Sequence, residues 1–309
     1  MKIIFMGTPE FAVPSLEKIY DSHHEIIAVV TGPDKPAGRG KKLKPTPVKR
    51  RADEFSIPIL TPEKLSDENF IGELKQLNAD LFVVVAFRIL PKSVFTIPPL
   101  GTINLHASLL PKFRGAAPIN WAIMNGENES GVTTFFIEEK VDTGEWILQK
   151  KVSISEKETA GELHDKLTVI GADVLLETVN TIEQGNAPRI TQEGEVIKAP
   201  KLTRELCHIN WEKDVVSIYN LIRGLAPFPR AFSYFNEKEF KICGAEISTM
   251  NLDKGKVAGE IVDINKEKIF VAAGDGILAI TEVQPPNKRR MSVAEYLRGH
   301  SVELGERFQ

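Results

Sequence analysis

Cysteine is nearly absent from this chain, and long hydrophobic runs are missing altogether. Only Cys207 and Cys243 occur among 309 residues, far apart and in no Cys-x-x-Cys pair, which argues against a disulfide framework or a cysteine zinc site. The longest plain apolar run, residues 81–87, is far shorter than the roughly 20 residues that span a bilayer. The apolar stretch at residues 3–6 is too short for a signal peptide. We therefore expect a cytoplasmic protein that makes no membrane contact.

Motifs for common nucleotide cofactors are also missing. After the first predicted strand the chain reads Gly7-Thr-Pro-Glu-Phe-Ala12, which lacks two of the three glycines of a dinucleotide-binding turn. There is no Walker phosphate loop, and no serine or cysteine stands in a nucleophile-elbow motif. The six histidines are too sparse to predict a metal site, so we expect none. A nicotinamide cofactor is not expected either.

The first two thirds of the chain have the pattern of an α/β protein. Predicted strands that are apolar throughout alternate with amphipathic helices, which favours a doubly wound, mostly parallel sheet covered on both faces. Ser66 is the predicted N-cap of one of these helices. The predicted strands are residues 2–6, 25–30, 80–86, 101–105, 131–138 and 146–153, and the predicted helices are residues 11–20, 47–55, 66–77 and 159–185.

The pattern changes near residue 203. A short predicted helix at residues 214–224 precedes short alternating strands separated by Gly, Asn and Asp, which favours a small β-barrel. The predicted strands are residues 231–235, 240–247, 259–265, 268–272 and 277–283. We therefore expect a domain at residues 1–189, a polar linker at 190–203 and a smaller domain at 204–309.

Charge is concentrated in one segment. The net charge is −3, yet residues 34–51 contain eight basic residues and one acidic residue. A cationic segment on an acidic chain is a candidate contact for a polyanion, although a solvated loop is the alternative interpretation. The region from Arg204 onwards is neutral, with 15 basic and 15 acidic residues, so any polyanion contact there needs a local patch. The candidate patch is Lys288, Arg289 and Arg290.

Asn104 and His106 stand two residues apart where a predicted strand ends. On an extended backbone their side chains point to the same side, and the carboxyl ends of strands are where open α/β sheets build sites. An amide can stabilise an oxyanion and an imidazole can carry a proton, so the pair suits acyl transfer to a nucleophile that belongs to a substrate. Asp142 is a candidate partner for the imidazole. The alternative interpretation of Asn104 and His106 is that the pair has only a structural role. The alternative for Asp142 is that it makes a simple Asx-turn.

Several blocks, in this order, resemble the folate-dependent formyltransferase family over nearly the whole chain. They are GTPEF at 7–11, PAGRGKKL at 36–43, NLH at 104–106, SLLP at 108–111, RGAAP at 114–118, DTG at 142–144, VQP at 283–285, KRRM at 288–291 and LRG at 297–299. The resemblance implies a Rossmann-like domain followed by an OB-like barrel, and a monomer. It also implies formyl transfer from 10-formyltetrahydrofolate to the α-amino group of methionine on initiator tRNA, with Asn104, His106 and Asp142 as the catalytic residues.

The resemblance further implies two sets of binding residues. The cationic loop is expected to enter the acceptor end of the tRNA, and the barrel is expected to add the second basic patch. Arg88 stands where relatives usually have glycine, so whether it reaches the glutamate tail of the folate or faces solvent stays open. Plain core is the alternative for Phe87 and Leu90. The expected folate-binding residues are Phe87, Arg88, Ile89, Leu90, Ser108, Leu109, Leu110 and Pro111, and the expected tRNA-binding residues are Arg39, Lys41, Lys42, Lys44, Lys288, Arg289 and Arg290.

Three other functions compete with this one. A sugar-nucleotide formyltransferase would share the three catalytic residues and a similar second domain, but it has no need for the basic loop at residues 36–43. A glycinamide ribonucleotide transformylase needs no C-terminal barrel. A non-catalytic RNA-binding protein would use the barrel alone, and the presence of all three catalytic residues argues against it.

Overall fold

The computed structural model describes residues 1–37, 42–253 and 255–309, and no side chain is described at residues 37 and 42. The predicted tRNA contacts of Arg39, Lys41 and the Lys42 side chain therefore lie outside the described residues. The remaining predicted site residues are all described.

The first 199 residues alternate strands with helices, as the sequence predicts. A 3-10 turn at Glu10–Ala12 precedes the first helix. The strands are β1 (Lys2–Gly7), β2 (Glu25–Val30), β3 (Lys35–Ala37), β4 (Lys42–Lys44), β5 (Ile59–Leu60), β6 (Leu81–Val85), β7 (Thr102–His106), β8 (Arg114–Gly115), β9 (Glu129–Phe136), β10 (Trp146–Ser153) and β11 (Lys198–Ala199). The helices are α1 (Val13–Tyr20), α2 (Pro47–Glu54), α3 (Glu68–Gln76), α4 (Lys92–Phe95), α5 (Pro118–Met124) and α6 (Ala160–Glu183).

Seven of these strands form one sheet in the order β10-β9-β7-β6-β1-β2-β5. The pairs from β7 to β5 are parallel, whereas β9 runs antiparallel to β7. The strands at the centre are buried on both faces, since all five residues of β6 are buried. This confirms the predicted mostly parallel, doubly wound sheet. Because β6 and β7 are parallel neighbours, their carboxyl ends lie at the same edge.

Side-chain caps decide where two helices begin. The Thr46 hydroxyl accepts a hydrogen bond from the backbone N–H of Lys49 at the start of α2. The prediction that Ser66 caps α3 is wrong, because Asp67 accepts from the N–H groups of Asn69 and Phe70. A carboxylate at this position also favours the positive end of the helix dipole.

The remainder of the chain forms a six-stranded antiparallel sheet in which β17 pairs with β16 and the other strands follow the order β12-β13-β16-β15-β14. The segment at residues 305–309 runs along both edge strands, because Phe308 bridges to Phe235 of β12 and Arg307 bridges to Glu260 just before β14. It thereby closes the sheet and confirms the predicted barrel. The elements are a 3-10 turn (Glu205–Cys207), α7 (Val215–Gly224), β12 (Ala231–Phe235), β13 (Lys238–Ile247), β14 (Ile261–Ile264), β15 (Ile269–Ala272), β16 (Ile277–Gln284), β17 (Met291–Ser292) and α8 (Val293–Leu297).

The chain divides into two compact units, and each unit is made of three segments that are not contiguous in sequence. The first unit consists of Met1–Gly115, Ser130–Val152 and His164–Ala199. The second unit consists of Ala116–Glu129, Ser153–Leu163 and Pro200–Gln309. The main segment of the second unit starts inside the predicted linker, and the predicted domain limits stay a prediction. Among the described residues, no helix has the length and apolar character needed to cross a membrane.

Candidate active site

Strand β7 presents the two polar side chains at the carboxyl edge of the sheet. It lies between β6 and β9, and its residues Asn104 and His106 pair with Phe135 and Thr133 of β9. The His106 residue is only 6% exposed, while Asn104 is half-buried. Within the described residues, the Asn104 amide has no hydrogen-bond partner. The strand therefore holds a buried imidazole and an available amide on one face.

The backbone of a neighbouring loop determines the hydrogen bonding of the imidazole. Nε2 of His106 lies 2.9 Å from the carbonyl oxygen of Phe113. A carbonyl only accepts, so Nε2 must carry the proton and Nδ1 of the neutral ring keeps its lone pair. Nδ1 faces Oδ2 of Asp142 at 3.9 Å, which is too far for a direct hydrogen bond. The carbonyl of Phe113 orients the ring, and the Asp142 carboxylate supplies a nearby negative charge.

Asp142 sits in a turn whose shape depends on glycines. Its own φ is +56°, and its Oδ2 accepts a hydrogen bond of 2.9 Å from the N–H of Gly115. A Cβ at Gly144 would lie 1.7 Å from the carbonyl oxygen of Phe136, so no other residue fits there without moving the backbone. The Asp-Thr-Gly block therefore does more than make an Asx-turn: it places the carboxylate beside His106.

Gln192 is a residue that the sequence analysis missed. Its Nε2 donates to the carbonyl oxygens of Asp142 (3.0 Å) and Gly144 (2.8 Å). Its Oε1 accepts from Nη2 (2.6 Å) and Nε (3.1 Å) of Arg114. The side chain thus connects the Asp142 turn to the RGAAP block. No sequence signal identifies it, since it stands in the polar stretch interpreted as a linker.

Three residues in this part of the first unit have strained backbones. Ala86, Phe113 and Asp142 have φ of +47°, +59° and +56°, in the left-handed region that side chains other than glycine rarely adopt. Ala86 directly follows β6, and the other two residues supply the carbonyl and the carboxylate beside His106. Each such residue costs on the order of 1–2 kcal/mol. The surrounding fold must stabilise these three backbone conformations, so it also fixes the positions of the groups that they carry.

The segment at residues 87–90, after β6, offers unpaired peptide groups. Its backbone N–H and C=O groups form no hydrogen bonds with other described residues. Ile89 is 75% exposed and Phe87 is half-buried, whereas Leu90 is buried in the core under the sheet. Free amide groups beside apolar side chains are typical of the lining of a small-molecule site. Leu90 packs in the core, and its place among the folate-binding residues stays a prediction.

Arg88 neither projects into solvent nor stands free to reach a ligand. Its guanidinium donates to the carbonyl oxygens of Pro62 (2.8 Å) and Glu63 (2.9 Å) and lies 5.2 Å from the ring centroid of Phe87. Burial lowers the pKa of Arg88. Pro62 and Glu63 also line a cavity of about 560 Å³ between β5 and α3. Arg88 is therefore an anchor that ties the segment at residues 87–90 to this loop.

Several polar groups of the predicted folate loop at residues 108–111 already have hydrogen-bond partners in the protein. The Ser108 hydroxyl donates to the carbonyl of Lys112 at 2.6 Å. The Thr133 hydroxyl donates to the Ser108 carbonyl and accepts from the N–H of Leu110, and Gln149 donates to the Leu110 carbonyl. Leu109 is half-buried, whereas Leu110 and Pro111 are buried. The loop can offer a side-chain wall to a ligand, but these hydrogen bonds are already used.

The basic residues near the start of the chain fall into two groups. Lys49, Arg50 and Arg51 of α2 form ion pairs with Asp34, Glu10 and Glu17. Lys35 and Lys44 are exposed and form no ion pair with a described residue. The charge available to a polyanion is therefore smaller than the residue count suggests.

The basic residues of the second unit differ in the same way. Arg289 and Arg290 are exposed but paired with Glu295 and Glu282, whereas Lys288 has no ion-pair partner among the described residues. Arg223, another basic residue of this unit, is only 8% exposed. Its guanidinium bonds to Asn220 and to the carbonyl of Glu158, and burial lowers its pKa. Arg223 therefore has a structural role and cannot bind a polyanion.

Comparison with known families agrees with the fold. The model of the formyl transferase family matches residues 1–179, and the model of the formyl transferase C-terminal domain matches residues 201–301. The chain therefore belongs to the formyl transferase family of enzymes.

Within this family, the chain is similar over nearly its whole length to methionyl-tRNA formyltransferases. One from Clostridioides difficile (strain 630) is 50% identical over 307 residues, which cover 99% of each chain. One from Flavobacterium johnsoniae is 46% identical over 303 residues, which cover 97% of this chain and 96% of that protein.

Solved structures share the fold at much lower identity. The sugar 3N-formyl transferase WlaRD, determined with dTDP and 5-N-formyl-THF, has a TM-score of 0.67 at 23% identity, with 94% of this chain and 99% of that chain covered. HypX from Aquifex aeolicus in complex with tetrahydrofolic acid has a TM-score of 0.63 at 20% identity. In that case 96% of this chain and 47% of the longer HypX chain are covered.

Proposed function

We propose that the chain transfers the formyl group of 10-formyltetrahydrofolate to the α-amino group of methionine carried by initiator tRNA. The observation that carries this proposal is the arrangement of Asn104, His106 and Asp142, in which an available amide lies on the same strand as an imidazole that faces a carboxylate at 3.9 Å. The substrate choice is supported by relatives that are 50% and 48% identical over 99% of this chain and are methionyl-tRNA formyltransferases.

His106 accepts the proton of the attacking amine at Nδ1. Nε2 is committed to the Phe113 carbonyl, so Nδ1 is the only basic atom of the neutral ring. Once protonated, the ring carries a positive charge that the Asp142 carboxylate stabilises from 3.9 Å. Proton transfer of this kind contributes about 10²–10⁴ in rate.

Asn104 stabilises the oxygen of the formyl group. When the amine nitrogen bonds to the formyl carbon, negative charge develops on that oxygen, and the half-buried Asn104 amide is the donor that binds it. One such donor is worth roughly 10²–10³ in rate. The bond from the formyl carbon to N10 of the folate then breaks, and the proton held at Nδ1 of His106 passes to N10. The reaction leaves N-formylmethionyl-tRNA and tetrahydrofolate, with no net proton released.

The segment at residues 87–90 is the proposed folate site. Its unpaired peptide groups and the exposed Ile89 suit the polar edge and flat faces of a pterin. The loop at residues 108–111 is the proposed second wall of this site. Arg88 acts here through its anchor on Pro62 and Glu63, which holds the segment in place.

The tRNA would be bound by residues of both predicted domains. In the catalytic domain at residues 1–189 we assign this role to the cationic loop, including Arg39, Lys41, Lys42 and Lys44. In the domain at residues 204–309 we assign it to the patch at residues 288–290, where Lys288 is the unpaired cation. Cations that neutralise phosphates make binding depend steeply on salt.

One experiment separates this function from its closest alternative. The full chain is incubated with 10-formyltetrahydrofolate labelled in the formyl group, together with either methionine-charged initiator tRNA or an amino-sugar nucleotide. We expect label on the tRNA and none on the sugar nucleotide. Label on the sugar nucleotide alone would support the sugar-nucleotide formyltransferase, and label on neither would reject both. Uncharged tRNA is the control, since it lacks the accepting amine.

A further inference from the structure

Three metal-ligating side chains meet at a place that the proposed reaction does not use. His23 and His24 lie between α1 and β2, and Glu183 is the last residue of α6. Nε2 of His23 is 2.7 Å from Oε2 of Glu183, and Nδ1 of His24 is 3.7 Å from Oε1. One nitrogen or oxygen from each of the three residues lies within 4.8 Å of the others. Residues 160 positions apart thus converge on a single point.

A hydrogen bond behind His24 prepares its inner nitrogen as a ligand. Nε2 of His24 lies 2.9 Å from Oδ1 of Asn180, one turn before Glu183 on α6. With Nε2 donating to this oxygen, Nδ1 keeps its lone pair and points toward Glu183. Histidines that bind metals commonly donate their other N–H to an oxygen in this way. The ring is buried, since its side chain has no exposed surface, and this orientation is therefore fixed.

We propose that His23, His24 and Glu183 bind a divalent transition-metal ion, with Zn²⁺ as the expected occupant. Zn²⁺ takes imidazole nitrogen and carboxylate oxygen at about 2.0–2.2 Å, which places ligands of a tetrahedral site about 3.3 Å apart. The observed separations of 2.7 Å and 3.7 Å bracket that value. His23 is the exposed member, with 64% of its side chain accessible, so it can adjust to the metal without repacking the core.

One cation already occupies part of this space. The α-amino group of Met1 lies 3.1 Å from Oε1 of Glu183 and 3.4 Å from Nδ1 of His24. A metal ion takes over its role as the positive charge beside the carboxylate. The bound ion joins the turn before β2 to the end of α6 and stabilises the first unit. This site is independent of the proposed formyl transfer, since it shares no residue with it.

The test is a calorimetric titration of the full chain with ZnCl₂ alone. The protein carries no affinity tag and is first treated with a chelator that is then removed. We expect saturable binding of one Zn²⁺ per chain. His23→Ala and Glu183→Gln should each weaken binding at least tenfold, because each removes one of three ligands. A fixed excess of Zn²⁺ should raise the melting temperature of the unaltered protein more than that of either variant.

His164→Ala is the matched control. His164 is another partly exposed histidine of the first unit, 3.0 Å from the carboxylate of Asp165, but no third ligand among the described residues stands beside the pair. Its variant should bind Zn²⁺ as the unaltered chain does. The proposal is overturned by an absence of saturable binding, by binding that survives in both His23→Ala and Glu183→Gln, or by an equal loss in His164→Ala. A circular dichroism spectrum identical to that of the unaltered chain verifies that each variant is folded.

Discussion

The residues around the end of β7 and the basic residues at 288–290 are organised in different ways. Around β7 the ring of His106, the turn of Asp142 and the loop of Phe113 are held by backbone hydrogen bonds, and two of these residues have strained backbones. At residues 288–290 the side chains are exposed, and two of the three are held only by surface ion pairs. Surface ion pairs are weak and exchange with solvent.

This difference teaches where each kind of function can be localised. Chemistry at one carbon atom needs groups fixed within a fraction of an ångström, so it is found where the fold maintains strained, hydrogen-bonded geometry. Attraction of a polyanion needs only positive charge within reach, so it tolerates mobile side chains. A single substitution should therefore be severe around β7 and mild at residues 288–290.

The largest effect is expected for His106→Ala. Loss of the proton acceptor should lower kcat by about 10²–10⁴, with folate affinity little changed, because the proposed folate contacts lie on residues 87–90 and 108–111. Single-turnover formylation of charged tRNA measures the rate, and fluorescence quenching by a folate analogue measures binding. His164→Ala should keep full activity. Unchanged turnover in His106→Ala would remove this residue from the mechanism.

A smaller effect is expected for the positioning residue Gln192. Gln192→Ala removes the donor to the carbonyls of Asp142 and Gly144, so the carboxylate loses its fixed place beside His106. We expect kcat to fall roughly tenfold to hundredfold with KM for both substrates unchanged. The control is Gln76→Ala, an exposed glutamine of α3. An equal rise of KM would point to general loosening of the fold and contradict the positioning role.

Arg223 shows that basic residues of the second unit are not all alike, because it is buried and has a structural role, unlike the exposed residues at 288–290. Arg223→Met leaves Asn220 and the Glu158 carbonyl without their donor, which should cost about 2 kcal/mol of stability. Urea unfolding of the full chain measures this. Arg289→Met on the exposed patch should leave the midpoint unchanged. If both variants behave alike, the distinction between buried and surface cations fails.

The smallest effect is expected for Lys288→Gln. Loss of one phosphate contact should weaken tRNA binding roughly twofold to fivefold and reduce the slope of log affinity against log salt by about one. Arg290→Gln should change affinity less, because Arg290 is paired with Glu282. Filter binding at several salt concentrations measures both variants. A salt slope that is identical in Lys288→Gln and the unaltered chain would take Lys288 out of the tRNA interface.

The sequence was sufficient to predict most strands and helices of the main sheet. It was also sufficient to predict site residues that lie on the same strand. Continuous apolar runs predict buried parallel strands, and β2 and β10 begin and end where the pattern predicts. The pair Asn104 and His106 could be predicted because residues two apart on a strand share a face. The Ser66 cap failed because two adjacent residues can both cap, and the tertiary path of the chain selected Asp67.

What the sequence by itself determined is therefore local: the strands and helices, the basic segments and the amide and imidazole on β7. The tertiary structure alone decided that the Phe113 carbonyl orients His106, that Gln192 holds the Asp142 turn, that Arg88 is an anchor and that His23 and His24 meet Glu183. The physical reason is that hydrogen-bonding partners far apart in sequence are chosen by packing. The spacing of apolar residues along the chain predicts local elements, but it does not predict which distant segments will come into contact.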